Sequence, residues 1–217
     1  MNFKTLSLVG LLSLSSSAIL EAQTAKEVFL AMPDSLLPYL TKNNKLDMPD
    51  FLASKMPARV KNKLEQTTEM KQLTTDYLSL QTGENSSFQL KVLPLPETVS
   101  SIGKNLIAVI YTVTGPATDS QISFYTSDWK KKLPAENYFT LPTFPLHLKD
   151  TLSLEMRTRI QDILSIPFVT FKFIPESSDL LVSDSRIEYL DDESKALIKP
   201  YFTPATFTLS WQNGHYR

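Results

Sequence analysis

The stretch Asn105–Lys130 reads NLIAVIYTVTGPATDSQISFYTSDWK, and its interpretation decides the fold. Leu106–Val113 is an unbroken run of aliphatic, β-branched and aromatic residues, the pattern of one buried strand. Thr114–Thr118 carries Gly115 and Pro116 and punctuates the run as a turn. Gln121–Tyr125 then reads as a second strand. Strands joined by so short a turn pair antiparallel, so the stretch is expected to form the central hairpin of an antiparallel sheet.

Toward the N-terminus, Phe88, Leu90 and Val92 alternate with Gln89 and Lys91, the pattern of a half-buried strand. With Tyr77, Leu78 and Leu80 they are expected to close a hairpin around Gly83, ended by Pro94 and Pro96. Arg59–Leu64 and Glu69–Leu73 leave strand and helix both open. Thr24–Leu30 reads as a helix interrupted by Pro33, after which Asp34 is placed to cap a short helix over Ser35–Leu40. Asn43 and Asn44 are read as its end, and a third short helix is expected over Pro49–Lys55 with Pro49 in its first turn.

Toward the C-terminus, Leu133–Pro145 holds Pro134, Pro142 and Pro145 and reads as a connector. Ser153–Leu164 carries Met156, Ile160, Ile163 and Leu164 on one helical face. Phe168–Ile174 reads as a strand, Leu180–Ser183 as its return, and Asp191 as the cap of a helix over Asp192–Ile198. Phe207–Trp211 is expected as a last strand, followed by the hairpin-turn pair Asn213-Gly214 with three residues beyond it. The class is therefore α+β: an antiparallel sheet of hairpins with short helices packed on one side. Residues 23–217 are expected to form a single domain, with possible subdomains at 23–132 and 146–217 joined by the Pro-rich connector.

The 217 residues are 42% hydrophobic and 21% charged, which is ordinary for a globular protein. A formal net charge of -1 gives no basic excess to neutralise phosphates, so nucleic acid is not an expected partner. Met1–Ala22 has the build of a secretory signal peptide: Lys4, the apolar Leu6–Leu14, small residues Ser15–Ala18, and Ala22 before a cleavage point. It is too short for a permanent span, and no later stretch is long enough. There are no cysteines, which excludes disulfides, thiolate catalysis, Cys-based zinc sites and lipidation at cysteine. The expected location is the periplasm or the cell surface.

No catalytic signature stands out. The glycines do not cluster, so no phosphate-cradling loop is present, and no G-x-S-x-G elbow occurs. The two histidines, His147 and His215, are too isolated to suggest a metal site. Ser101–Lys104 and Ser127–Lys130 match S-x-x-K, but neither opens an apolar helix and no K-T-G follows. Asp119, Asp128, Asp184, Glu188, Asp191 and Asp192 are the carboxylates from which an acid–base pair could be drawn, although turns and helix caps account for most of them. The aromatics Phe124, Tyr125, Trp129, Tyr201, Phe202, Phe207, Trp211 and Tyr216 are expected to fill a core. No catalytic, cofactor or metal residue is assigned, and no cofactor is expected.

Three segments carry a family resemblance: AKEVFLAMPDSLLPYLTKNNKLDMPDFL (Ala25–Leu52), LTTDYLSLQ (Leu73–Gln81) and DSQISFYTSDW (Asp119–Trp129). They resemble a family of secreted Bacteroidales proteins known as a domain of unknown function. The resemblance implies a periplasmic or surface protein and transfers no active site. In that setting Asp34-Ser35-Leu36 and Asp150-Thr151-Leu152 resemble acceptors for O-glycosylation, at Ser35 and Thr151, with a helix cap as the plainer reading of both.

The function expected from the sequence is a secreted, non-enzymatic envelope protein that binds a protein or glycan partner through its sheet surface. The alternative is a carboxylate-dependent glycan hydrolase. An inhibitor or chaperone-like accessory with an exposed apolar patch is a third reading.

Overall fold

The computed structural model describes residues 23–97, 102–144, 148 and 152–217. Met1–Ala22, His147, Ser101 and Thr151 lie outside the described residues. Among the described residues the first elements are two helices, α1 (Ala25–Ala31) and α2 (Lys42–Ala53). Seven strands follow as a continuous meander: β1 (Arg59–Lys61), β2 (Thr67–Leu73), β3 (Tyr77–Gly83), β4 (Ser86–Pro94), β5 (Asn105–Thr114), β6 (Thr118–Thr126) and β7 (Lys132–Leu133). They hydrogen-bond in chain order, every pair antiparallel. After α3 (Leu154–Ile163) come β8 (Val169–Phe173), β9 (Leu180–Asp184), α4 (Asp192–Ile198) and β10 (Thr206–Leu209), with β8, β9 and β10 forming a second antiparallel sheet. A two-residue hairpin, β11 (Trp211–Gln212) and β12 (His215–Tyr216), ends the chain. The class is α+β, with mostly antiparallel sheets and four short helices among the described residues.

The central hairpin is β5 and β6, in register from Leu106↔Thr126 to Thr114↔Thr118. The reason its first strand is apolar throughout lies in the layering. Ile107 and Val109 join the core beneath α1 and α2, together with Phe29, Met48, Leu78, Leu80, Phe88 and Leu90. Leu106, Ala108 and Ile110 point the other way, into a core shared with Phe171, Phe173, Leu180 and Val182 of the small sheet. A strand buried on both faces cannot alternate.

Gln89 and Lys91, the polar half of the β4 alternation, do not face solvent. Both are buried and anchor the second sheet: Gln89 Oε1 accepts from Phe173 N at 3.1 Å, and Lys91 Nζ donates to Pro175 O at 3.0 Å. The helices α1 and α2 cover one face of the meander, while α3 and α4 form a separate apolar cluster around Ile160, Leu164, Ile198 and Phe202.

Two N-terminal expectations are corrected. Ser35–Leu40 is a series of turns, not a helix, because Asp34 gives its carboxylate to the buried Lys45 ammonium at 2.7 Å instead of capping. Asn43 and Asn44 do not end an element. Thr41 caps α2 and Asn44 closes a reciprocal capping box with it, so the helix starts seven residues before Pro49 and carries that proline inside it. Asp191 caps α4 as expected, and Ser153 caps α3. The last strand breaks at Ser210, and Asn213 (φ 52°) and Gly214 (φ 80°) make the tight turn of β11 and β12.

Candidate functional site

The small sheet covers only part of the second face of the meander. Beyond β8, the face of β1–β3 and the far ends of β4 and β5 remain open, and alternation places polar side chains there: Arg59, Thr67, Glu69, Gln81, Ser87 and Thr112. Their neighbours in sequence, Val60, Thr68, Met70, Thr82 and Phe88, turn toward the helices or the buried Asn62 network.

Two hollows lie on this face. The larger, about 500 Å³, is bounded by Arg59, Gln66, Thr67, Glu69, Gln81, Gly83 and Glu84. Arg59 Nε and Lys71 Nζ both contact Glu69 Oε2, at 3.1 and 2.7 Å. The Lys71 ammonium, seconded by Arg59, holds the Glu69 carboxyl below its usual range. Gln81 Nε2 ties the β3–β4 turn together by donating to Gly83 O at 2.8 Å and Ser86 O at 3.1 Å. The absence of a side chain at Gly83 admits Gln66, whose Oε1 would lie 2.8 Å from an added Cβ. The smaller hollow, about 350 Å³, runs beside β8 and is lined by Ser87, Gln89, Thr112, Thr170, Phe171, Lys172, Leu181 and Ser183. Two of its hydroxyls are paired with neighbours outside the lining, Thr112 Oγ1 with Ser120 Oγ at 2.8 Å and Ser183 Oγ with Thr206 Oγ1 at 3.0 Å. The chemistry offered is hydrogen bonding by guanidinium, amide and hydroxyl groups, with the charges balanced.

The carboxylates singled out in the sequence do not converge there. Asp119 Oδ1 accepts from Val169 N at 3.3 Å and fastens β8 to the meander. Asp128 accepts from Thr126 Oγ1 and Lys130, which keeps its carboxyl well below the usual range. Asp184 forms a forked pair with Arg186, Glu188 Oε2 accepts from Thr118 N at 3.0 Å, and the Ser194 backbone N–H lowers the Asp191 pKa at the α4 cap. Asp192 lies in the first turn of that helix.

Lys130 Nζ meets Asp128 at 2.9 Å, within the turn that also holds Ser127. His215 is half-buried on β12, with Nε2 3.5 Å from Thr140 Oγ1. Among the described residues no group of three His, Cys, Asp or Glu side chains gathers to hold a metal. Ser35 is exposed in its turn. The aromatics pack internally: Phe124 on Tyr138, Tyr125 on Trp129, Trp211 on Tyr216. Arg59, Gln66, Gln81, Ser87 and Thr112 carry no motif; the one sequence signal for them is the polar half of strand alternation, and in β1 and β2 that was too short to separate strand from helix.

Three comparisons place the chain. A family model described as a protein of unknown function (DUF3256) matches residues 17–216. The structure is similar to that of a domain of an uncharacterised protein from Porphyromonas gingivalis W83, with a TM-score of 0.73 and 23% identity over 88% of this chain and 96% of that one. At that identity the likeness shows a shared fold. No curated protein matches the chain.

Proposed function

Starting from the premise that the chain belongs to the DUF3256 family, whose function is unknown, we propose that it is an exported, non-enzymatic binding protein whose open sheet face takes a polar glycan. The observation that carries this reading is the pair of adjoining hollows on one uncovered face, bounded mainly by Arg59, Gln66, Glu69, Gln81, Ser87 and Thr112. Planar amide and guanidinium groups and fixed hydroxyls match the alternating donors and acceptors of sugar hydroxyls. Export rests on the character of Met1–Ala22, and it places the protein in the periplasm or on the cell surface. Ser35, exposed beside Asp34, is in this reading an acceptor for O-glycosylation in the native host.

The test is binding of the chain lacking residues 1–22 to an array of bacterial and dietary polysaccharides, read by calorimetry for each hit. Arg59→Ala is expected to weaken binding about tenfold, in line with loss of one charged hydrogen-bonding group, while leaving the melting temperature nearly unchanged because Arg59 is exposed. Equal binding by Arg59→Ala and the parent, or no glycan bound, rejects the reading in favour of a protein partner on this face.

A further inference from the structure

We infer that the outer edge of β6 is a docking site for an extended, acidic peptide strand supplied by a partner protein. The site lies at the opposite end of the meander from Arg59 and is independent of the glycan reading.

Backbone direction alternates along a strand, and several bonds fix it here. Thr118 N donates to Glu188 Oε2 and Thr118 O accepts from Ser185 Oγ at 2.6 Å. At the other end Thr126 N donates to Lys131 O at 3.0 Å. Both residues therefore turn their backbone groups away from β5, and the residues between them of the same parity, Ser120, Ile122 and Phe124, do the same. Phe124 is met by Leu133 of β7. Ser120 and Ile122 are not met, because β7 stops after two residues: the chain turns at Pro134 into a 3₁₀ helix over Ala135–Asn137.

What remains is a strand edge between two closed ends, with the N–H and C=O groups of Ser120 and Ile122 facing away from β5 and meeting no backbone partner among the described residues, although only 9% and 8% of the two residues is exposed. A hollow of about 430 Å³ lies along it, lined by Gln121, Ile122, Ser123, Lys132, Leu133, Pro134 and Ala135. Proteins commonly blunt such edges, since they template pairing with another chain. Here the ends are blunted and the middle is unpaired, which is the arrangement strand addition uses: backbone bonds give affinity and neighbouring side chains give selectivity.

Charge selects the occupant. Lys130, Lys131 and Lys132 are all exposed at the β7 end of the groove. Asp128 takes Lys130, and Lys131 and Lys132 have no ion pair among the described residues. A strand entering antiparallel to β6 runs in the direction of β7, so its N-terminal residues meet these lysines, and acidic residues there complement them.

The experiment uses the chain lacking residues 1–22 and a synthetic eight-residue peptide, two glutamates followed by alternating valine and threonine. Backbone amide exchange by NMR is followed with and without peptide. The expected result is that the Ser120 and Ile122 amides exchange fast in the free protein and are protected at least tenfold by the peptide. A version N-methylated at alternate residues, which cannot donate, is expected not to bind. Lys131→Glu/Lys132→Glu is expected to lose tenfold or more in affinity, and Ser120→Pro, which removes an outward N–H the fold does not use, to abolish protection at Ile122.

Slow exchange of these two amides in the free protein, absence of binding, or equal binding by the N-methylated peptide overturns the proposal. Protection that grows with protein concentration in the absence of peptide overturns it as well, since the edge would then pair with a second copy. The Arg59→Ala protein should bind the peptide normally, which separates failure at the edge from failure on the open face.

Discussion

Lys91, on β4, lies with its ammonium 3.0 Å from the carbonyl of Pro175 in the β8–β9 turn, eighty-four positions away. Its side chain is 1% exposed, and Asp76 Oδ2 is 2.9 Å from the same nitrogen. One buried cation thus fastens the second sheet to the meander. Lys91→Ala deletes both the bonds and the buried stem, and is expected to cost about 2–4 kcal/mol. Asp76→Asn keeps an acceptor at a half-exposed position and is expected to cost less than about 1 kcal/mol. Urea titrations of the two variants check the asymmetry, and equal losses would mean that the ion pair, not the tether to Pro175, carries the stability.

The two halves on either side of the Pro-rich connector put their residues into one cluster: Leu106, Ala108, Ile110 and Phe124 from the first, Phe171, Phe173, Leu180 and Val182 from the second. Neither half can cover its share of that surface alone. We expect one cooperative transition for residues 23–217. The two tryptophans report on different regions, Trp129 from beneath the helices, where its Nε1 donates to Val28 O, and Trp211 from the terminal hairpin, where its Nε1 donates to Pro94 O. Single-tryptophan variants should unfold at the same urea concentration. Separated midpoints would establish two subdomains.

The hairpin pattern, the burial of β5 and the cap of α4 were legible because each rests on local periodicity or a single capping residue. The extent of α2 was not. Asn43 and Asn44 resemble a terminator, and only the reciprocal bonds of Thr41 and Asn44 reveal a start. Gln89 and Lys91 misled in the other direction: polar residues at every second position predict water, and here they meet carbonyls and an N–H of a sheet eighty residues distant. The open face could not be read from the sequence, since which part of a sheet stays uncovered depends on where a second sheet docks. The edge of β6 was hidden for the same reason, its opening being set by how soon β7 ends.

Tyr216 is fully buried, and its hydroxyl has no hydrogen-bond partner among the described residues. A polar group buried without a partner costs free energy that its removal returns. Tyr216→Phe is therefore expected to be neutral or to stabilise by up to about 1 kcal/mol, whereas Tyr111→Phe, which loses the bond from Tyr111 to Leu36 O, is expected to destabilise by about 1 kcal/mol. Thermal melts at pH 7 distinguish the two; destabilisation by Tyr216→Phe would reveal a partner for the hydroxyl.

The same tyrosines make stability fall in alkali. Burial raises the phenol pKa of Tyr111 and Tyr216 far above the ordinary value, with Asp179 adding to the effect at Tyr216. Burial also raises Tyr39, Tyr77, Tyr125 and Tyr138. The folded protein then keeps protons that the unfolded chain releases above about pH 10. The stabilisation is complete below that pH and is lost progressively as pH rises from there toward the raised folded-state values. Urea midpoints should be flat between pH 8 and 9.5 and drop beyond 10, with a shallower drop in Tyr216→Phe. A midpoint unchanged to pH 11 would contradict the burial of these phenols.

Arg186 joins three parts of the second half. It forks onto Asp184, Nη2 to Oδ2 at 2.7 Å and Nε to Oδ1 at 3.0 Å, donates to Leu164 O at 3.2 Å after α3 and to Phe144 O at 3.3 Å in the connector, and lies over the Phe202 ring. Asp184 is almost fully buried, so its charge depends on this partner. Lysine keeps the charge but has no planar fork and cannot reach all three acceptors at once. Arg186→Lys is expected to cost about 2 kcal/mol, and Arg186→Met, which strands the buried carboxylate, about 3–5 kcal/mol. Chemical denaturation at pH 7 tests this, and equal losses in the two variants would assign the role of Arg186 to packing against Phe202 instead of to charge.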